Sequence, residues 1–173
     1  RARNLLAEWQ GRSTYAFGSE EIARLSIEGA LAASHRHVFA VLLWFVILPG
    51  PCGALLYRLA AVVRECWDDR NAAVQNHFPV FSRQVFGIID WLPLRATASA
   101  FAIVGDFEDA VYCWRSQSAQ WADRDMGIVL ASGAGALGVQ LGLPVVDGGE
   151  VSDRAELGLG DPPDVDFMHS AVG

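Results

Sequence analysis

Lysine is absent from this chain, and all thirteen of its basic residues are arginine. A GxxxxGK[ST] phosphate loop therefore does not exist here, and no Schiff-base lysine is possible. Cysteine is scarce. Cys52, Cys66 and Cys113 are odd in number, scattered and without CxxC spacing, which suggests neither a disulfide framework nor a zinc site. The first thirty residues show no charged-then-apolar signal peptide, because Glu8, Arg12, Glu20, Glu21 and Arg24 interrupt them. Positive charge is in deficit, with a net charge of −7. That argues against nucleic acid, whose binding rests on neutralising phosphates. There is no catalytic triad, no Gly-rich dinucleotide loop and no internal repeat. The chain begins at Arg1 and stops at Gly173 in mid-pattern, and reads as part of a longer protein.

Apolar residues are plentiful: they make up 52% of the chain, and the mean hydropathy is +0.25. Both are high for a soluble domain and low for a chain made only of membrane spans. They concentrate in Val38–Val63 (VFAVLLWFVILPGPCGALLYRLAAVV), whose one charge is Arg58. A helix needs roughly 20 residues to cross a bilayer core, but Pro49, Gly50 and Pro51 break this run, and proline removes a backbone donor. Each half spans roughly 18 Å, too short to cross alone. The stretch is a kinked membrane helix, two half-helices in a hairpin, or a buried hairpin of a soluble helical protein.

Around this run the pattern is helical. Ser19–Leu31 reads as a helix capped by Ser19. The polar cluster Ser34-His35-Arg36-His37 fits a headgroup boundary. Val85–Gly105 is a second apolar segment, carrying Asp90, Pro93 and Arg95. Met126–Val146 has no charge and five glycines. It reads either as a closely packed membrane helix or as a soluble helix and loop. The acidic tail from Asp147 reads as loop and then the start of another helix.

Several constellations carry two readings. His35 and His37 lie two apart and so on different helix faces, which favours an interfacial or structural role over metal. Asp90 with Arg95 is either a functional pair inside the membrane or a surface pair. Pro93 is placed to redirect the chain between them. Arg36, Arg58, Arg70 and Arg95 are either an anion clamp or side chains snorkelling to headgroups. Asp106, Glu108 and Asp109 read as a solvated helix start, with a magnesium site as the lesser alternative.

Four segments resemble the CobD/CbiB family of cobalamin biosynthesis: Leu42–Arg58 (LLWFVILPGPCGALLYR), Asp90–Thr97 (DWLPLRAT), Ala134–Gly142 (AGALGVQLG) and Leu159-Gly160-Asp161. The resemblance implies an integral inner-membrane protein that joins adenosylcobyric acid to aminopropanol or its phosphate by an amide bond. That reaction implies ATP and Mg2+. Asp90, Arg95 and Glu28 become the catalytic candidates. Arg58, Arg70, Asn71 and Arg36 become the substrate-binding ones, and no metal ligand is assigned. The chain departs from the family pattern where acids stand there: Gly29 follows Glu28, Arg36 occupies an Asp position, and Phe86-Gly87 replace an Asp pair. Ile89–Ala110 also resembles the AmpE proteins, inner-membrane modulators linked to β-lactamase regulation.

The expected fold class is all-α: a multi-pass integral membrane protein with a Pro-broken hydrophobic hairpin and amphipathic helices. The expected organisation is 1–34 interfacial or cytosolic helical segment, 35–66 broken-helix hairpin, 67–124 polar loop plus Asp/Arg-containing apolar segment, and 125–173 Gly-rich segment and acidic tail. All belong to one domain of a longer chain. The expected partners are membrane lipid and, for an enzyme, a corrinoid substrate, with no nucleic acid.

Overall fold

The computed structural model describes residues 18–48, 50–70, 78–147, 150–152 and 154–163. These residues are mainly helical, joined by loops, with isolated bridges and one antiparallel pair, β1 (Val145–Asp147) with β2 (Glu150–Ser152). They group into two compact units, 33–97 and 1–32 with 98–173.

Helix α1 (Ser19–Ser34) starts one residue earlier than a Ser19 cap requires. The Gly18 amide donates to Glu21 Oε2 at 2.7 Å, so the third helical residue satisfies the first orphan donor. Nothing in Ser34–His37 stops the helix, since the cluster holds neither Gly nor Pro. It continues through a π-helical turn, His35–Phe39, in which the Ala40 amide reaches back to the His35 carbonyl. Helix α2 (Ala40–Ile47) completes the run. The expectation of a first arm too short to span therefore fails. The arm is the end of a 28-residue helix, Glu20–Ile47, roughly 42 Å long, and the polar cluster lies inside it.

The hairpin expectation holds at the break. Leu48 is extended (φ −97°, ψ 139°), as a residue preceding proline must be. Helix α3 (Cys52–Arg70) then returns. The two arms approach so closely that a Cβ at Gly53 would fall on the Trp44 carbonyl.

Helix α4 (Phe78–Val104) runs straight through Pro93. Proline cannot donate to the carbonyl four residues back, which is Ile89. The Trp44 indole N–H takes that carbonyl instead, at 3.2 Å. Pro93 therefore does not redirect the chain, because a side chain of the hairpin satisfies the oxygen it frees. Residues Gln84–Val104 make a second helix long and apolar enough to cross a membrane. Unit 33–97 exposes Leu42, Phe45, Val46, Leu55, Leu59, Ile88 and Trp91.

The second unit holds α5 (Phe107–Gln117) and α6 (Arg124–Leu137). Asp106 caps α5, accepting from the Glu108 and Asp109 amides at 3.0 and 3.1 Å, so the acidic group is a helix start. Helix α6 has 14 residues, roughly 21 Å, short of a span. It is buried from Met126 to Gly135 and ends at Gly138 in the left-handed conformation. Of the two readings for Met126–Val146, a packed helix followed by loop is the one observed. The chain then runs extended. Leu141 exchanges both backbone bonds with Leu157 at 2.7 and 2.9 Å, and the Gln140 amide donates to the Asp161 carbonyl at 3.0 Å. A Cβ at Gly160 would fall on the Gly138 carbonyl. The AGALGVQLG and LGD segments thus meet backbone to backbone, over a core of Cys113, Leu130, Ala131, Ala134, Val139, Leu141 and Leu157. The start of a further helix, expected in the tail, falls beyond residue 163 and outside the described residues.

Two outcomes follow. Trp44→Phe keeps the ring but removes the donor, and should cost about 1–2 kcal/mol. In a Pro93→Ala background residue 93 supplies its own amide, so most of that cost should vanish; equal costs in both backgrounds would refute the pairing. Cys113 is fully buried. Burial pushes its thiol up, and the Asp109 carboxylate one turn back adds to this. Because the folded form holds this proton more tightly, its contribution to stability is complete below the ordinary thiol range and is lost as pH rises through it. Maleimide should modify exposed Cys52 and Cys66 in the native protein well before Cys113.

Candidate functional site

The chemistry-bearing side chains of unit 33–97 gather on the buried face of α4. Helical residues advance by about 100° each, so Asp90, Leu94 and Thr97 share one face and are buried together. Asp90 is 1% exposed. Its Oδ1 accepts from the Tyr57 hydroxyl at 2.9 Å. His35 Nε2 lies 3.2 and 3.3 Å from the two Asp90 oxygens. A carboxylate only accepts, so Nε2 carries a proton there. His35 Nδ1 lies 2.9 Å from Thr97 Oγ1. Four polar side chains thus bond to one another, from the π turn, α3 and α4.

Two rings and a guanidinium flank this network. Tyr57 packs against Phe86, with centroids 5.8 Å apart, and the Arg64 guanidinium sits 5.0 Å over the Phe86 ring. His35 and His37 part company, as their spacing of two requires. His35 points into the interior, whereas His37 is exposed, with Nδ1 2.7 Å from Arg58 Nη1. Among the described residues no group of three metal-ligating side chains occurs.

Of the two readings of Asp90 with Arg95, neither is observed, because the two side chains do not pair. Five residues place them about 140° apart around the helix. Arg95 instead stacks 4.1 Å over Trp91 and donates to the Trp91 carbonyl at 3.1 Å. Arg36 is half-buried beside His35 in the π turn, and Arg58 is exposed on α3. Arg70 closes α3; its side chain and the whole of Asn71 lie outside the described residues. Glu28 belongs to the other unit. There its Oε1 accepts the Gly142 amide at 2.9 Å and its Oε2 pairs with Arg154 at 3.0 Å. Both its oxygens therefore hold the loop after α6.

Tyr57, Thr97 and Arg64 carry no reading from the sequence, and His35 reads there as interfacial or structural rather than as a metal ligand. One signal was present for Thr97: it stands seven residues from Asp90, two turns along the same face. Tyr57 carried no such signal, because its contact crosses from one helix to another.

Comparison with known proteins adds the following. The family model described as "CobD/Cbib protein" matches residues 1–172. A cobalamin biosynthesis protein CobD from Stutzerimonas stutzeri is 34% identical over 171 residues, covering 99% of this chain and 56% of the relative. One from Chromobacterium violaceum is 35% identical over 161 residues, covering 93% and 51%. The chain thus spans about half the length of the curated relatives it matches. No solved structure matches it.

The network predicts a graded response. Asp90→Ala leaves His35 and Tyr57 without their acceptor and should cost about 3–5 kcal/mol. Tyr57→Phe removes one hydrogen bond and should cost about 1–2 kcal/mol. Combined, the two should cost clearly less than their sum in denaturant titrations, and simple additivity would show the groups to be independent.

Proposed function

The chain belongs to the CobD/Cbib protein family, and from that premise we propose that the full-length protein acts in cobalamin biosynthesis at a bacterial inner membrane. There it joins adenosylcobyric acid to aminopropanol or its phosphate through an amide bond. The observation that carries this reading is that two family-like segments meet in one place. Trp44 and Tyr57 of Leu42–Arg58 bond to Ile89 and Asp90 beside and within Asp90–Thr97.

Amide formation needs an activated carboxylate, a deprotonated amine and cations around phosphate. Arg58 and Arg95 keep accessible guanidinium groups in this unit and are the residues to hold anionic substrate groups, with Arg36, Arg70 and Asn71 as further candidates. Asp90 is buried and engaged by His35 and Tyr57, so its role is to position them rather than to touch substrate. Glu28 is committed to Gly142 and Arg154 and supports the other unit. The described acids do not assemble a magnesium site, so the ATP and Mg2+ that this reaction implies draw no ligand set from them. The outward apolar residues of α2, α3 and α4 face lipid in a multi-pass arrangement.

A second reading has its own support. Position 86, where the biosynthetic branch carries an acid, holds a Phe buried between Tyr57 and Arg64. A ring locked in place there suits an AmpE-like membrane modulator that kept the fold without the catalysis.

Genetic complementation separates the two. The full-length gene, placed in a bacterium lacking adenosylcobinamide-phosphate synthase, should restore growth on cobyric acid as the only corrinoid. Arg95→Ala should abolish that growth while the protein still accumulates in the membrane. No growth with abundant wild-type protein in the membrane would favour the modulator.

A further inference from the structure

Arg24 sits on α1, in unit 1–32 with 98–173, and is only 7% exposed. Among the described residues its Nε and Nη2 have no hydrogen-bond partner. These two atoms form the side-on edge of the guanidinium plane, the pair of parallel donors that matches the two oxygens of a carboxylate or phosphate. A buried arginine cannot shed its proton, and a buried charge without a counter-charge costs several kcal/mol.

The nearby acids are engaged elsewhere. Glu21 Oε2 accepts from the Gly18 amide, and both oxygens of Glu28 are taken by Gly142 and Arg154. Glu20 is exposed. Arg24 lies in the charged first turns of the Glu20–Ile47 helix, ahead of its apolar stretch.

We propose that Arg24 is the anchor of an oxyanion-binding site, which takes a carboxylate or phosphate group bidentately through Nε and Nη2. The group comes from a small molecule or from an anionic lipid headgroup. This site is separate from the Asp90 network and does not depend on the amide-forming reading.

The test uses full-length protein, wild type, Arg24→Gln and Arg24→Lys, followed by tryptophan-fluorescence melts. In detergent the probes are inorganic phosphate and acetate, with chloride at equal ionic strength as control. In vesicles the probe is phosphatidylglycerol added to phosphatidylcholine. Wild type should show a saturable Tm rise of roughly 5 °C, and Arg24→Gln should lose it. Arg24→Gln without anion should melt no lower than wild type, because it removes an uncompensated buried charge. A response to the free anions assigns a soluble ligand; a response to phosphatidylglycerol alone assigns a headgroup. The proposal fails if wild type and Arg24→Gln respond alike, if chloride reproduces the rise, or if Arg24→Gln is destabilised while wild type ignores every probe. The last result means that a carboxylate elsewhere in the chain is the partner. Should Arg24→Gln not fold, Arg24→Lys decides: it keeps the charge but not the fork, so its affinity should fall at least tenfold, and a wild-type titration would overturn the site.

Discussion

The Asp90 carboxylate is the constraint on which unit 33–97 depends. It is buried among helices whose outer faces are apolar, where an ionised group is tolerated only if its lone pairs are filled. Tyr57 and His35 fill them, and Thr97 completes the histidine. Because these partners come from three different helical segments, the pairing fixes the rotation of each helix about its own axis. Apolar packing alone would leave such rotations weakly specified, since one Leu contact substitutes for another. Satisfying a carboxylate admits few arrangements.

The same logic explains why Pro93 sits where it does. It frees the Ile89 carbonyl one residue before Asp90, and Trp44 claims that oxygen from the hairpin. A proline and a buried acid are each unfavourable in a helix interior. Here they serve as two adjacent addresses at which the hairpin docks. The π turn at His35–Phe39 sits at the same place in the hairpin's first arm, with His35 facing inward and His37 reaching Arg58.

In the other unit, backbone does what side chains do in the first. Gly138 ends α6, and Gly160 has no side chain to hold the tail away from it, so Leu141 exchanges backbone bonds with Leu157 and the Asp161 carbonyl accepts from the Gln140 amide. Glu28 and Arg154 fasten the loop between. Gln117 closes the same region, accepting from the Gly158 amide at 2.7 Å and donating back to its carbonyl at 3.4 Å. The glycine-rich motif is thus a docking surface for the chain's own tail. A membrane span would need more than the 14 helical residues present.

Much of this was determined by sequence alone. The Pro-Gly-Pro break and the acidic helix start are local signals, and each falls at an element boundary; the apolar runs located helices without giving their lengths. Word-level similarity identified the family, because motif text survives where composition is silent. Tertiary structure decided the rest. Only it could show that α1 runs on into the hairpin, since a polar cluster without Gly or Pro neither stops nor guarantees a helix. Only it could pair Asp90 with His35 and Tyr57 instead of Arg95. Those partners stand 55 and 33 residues away. Sequence spacing constrains neighbours on one helix, whereas a contact between helices is set by how their buried faces pack.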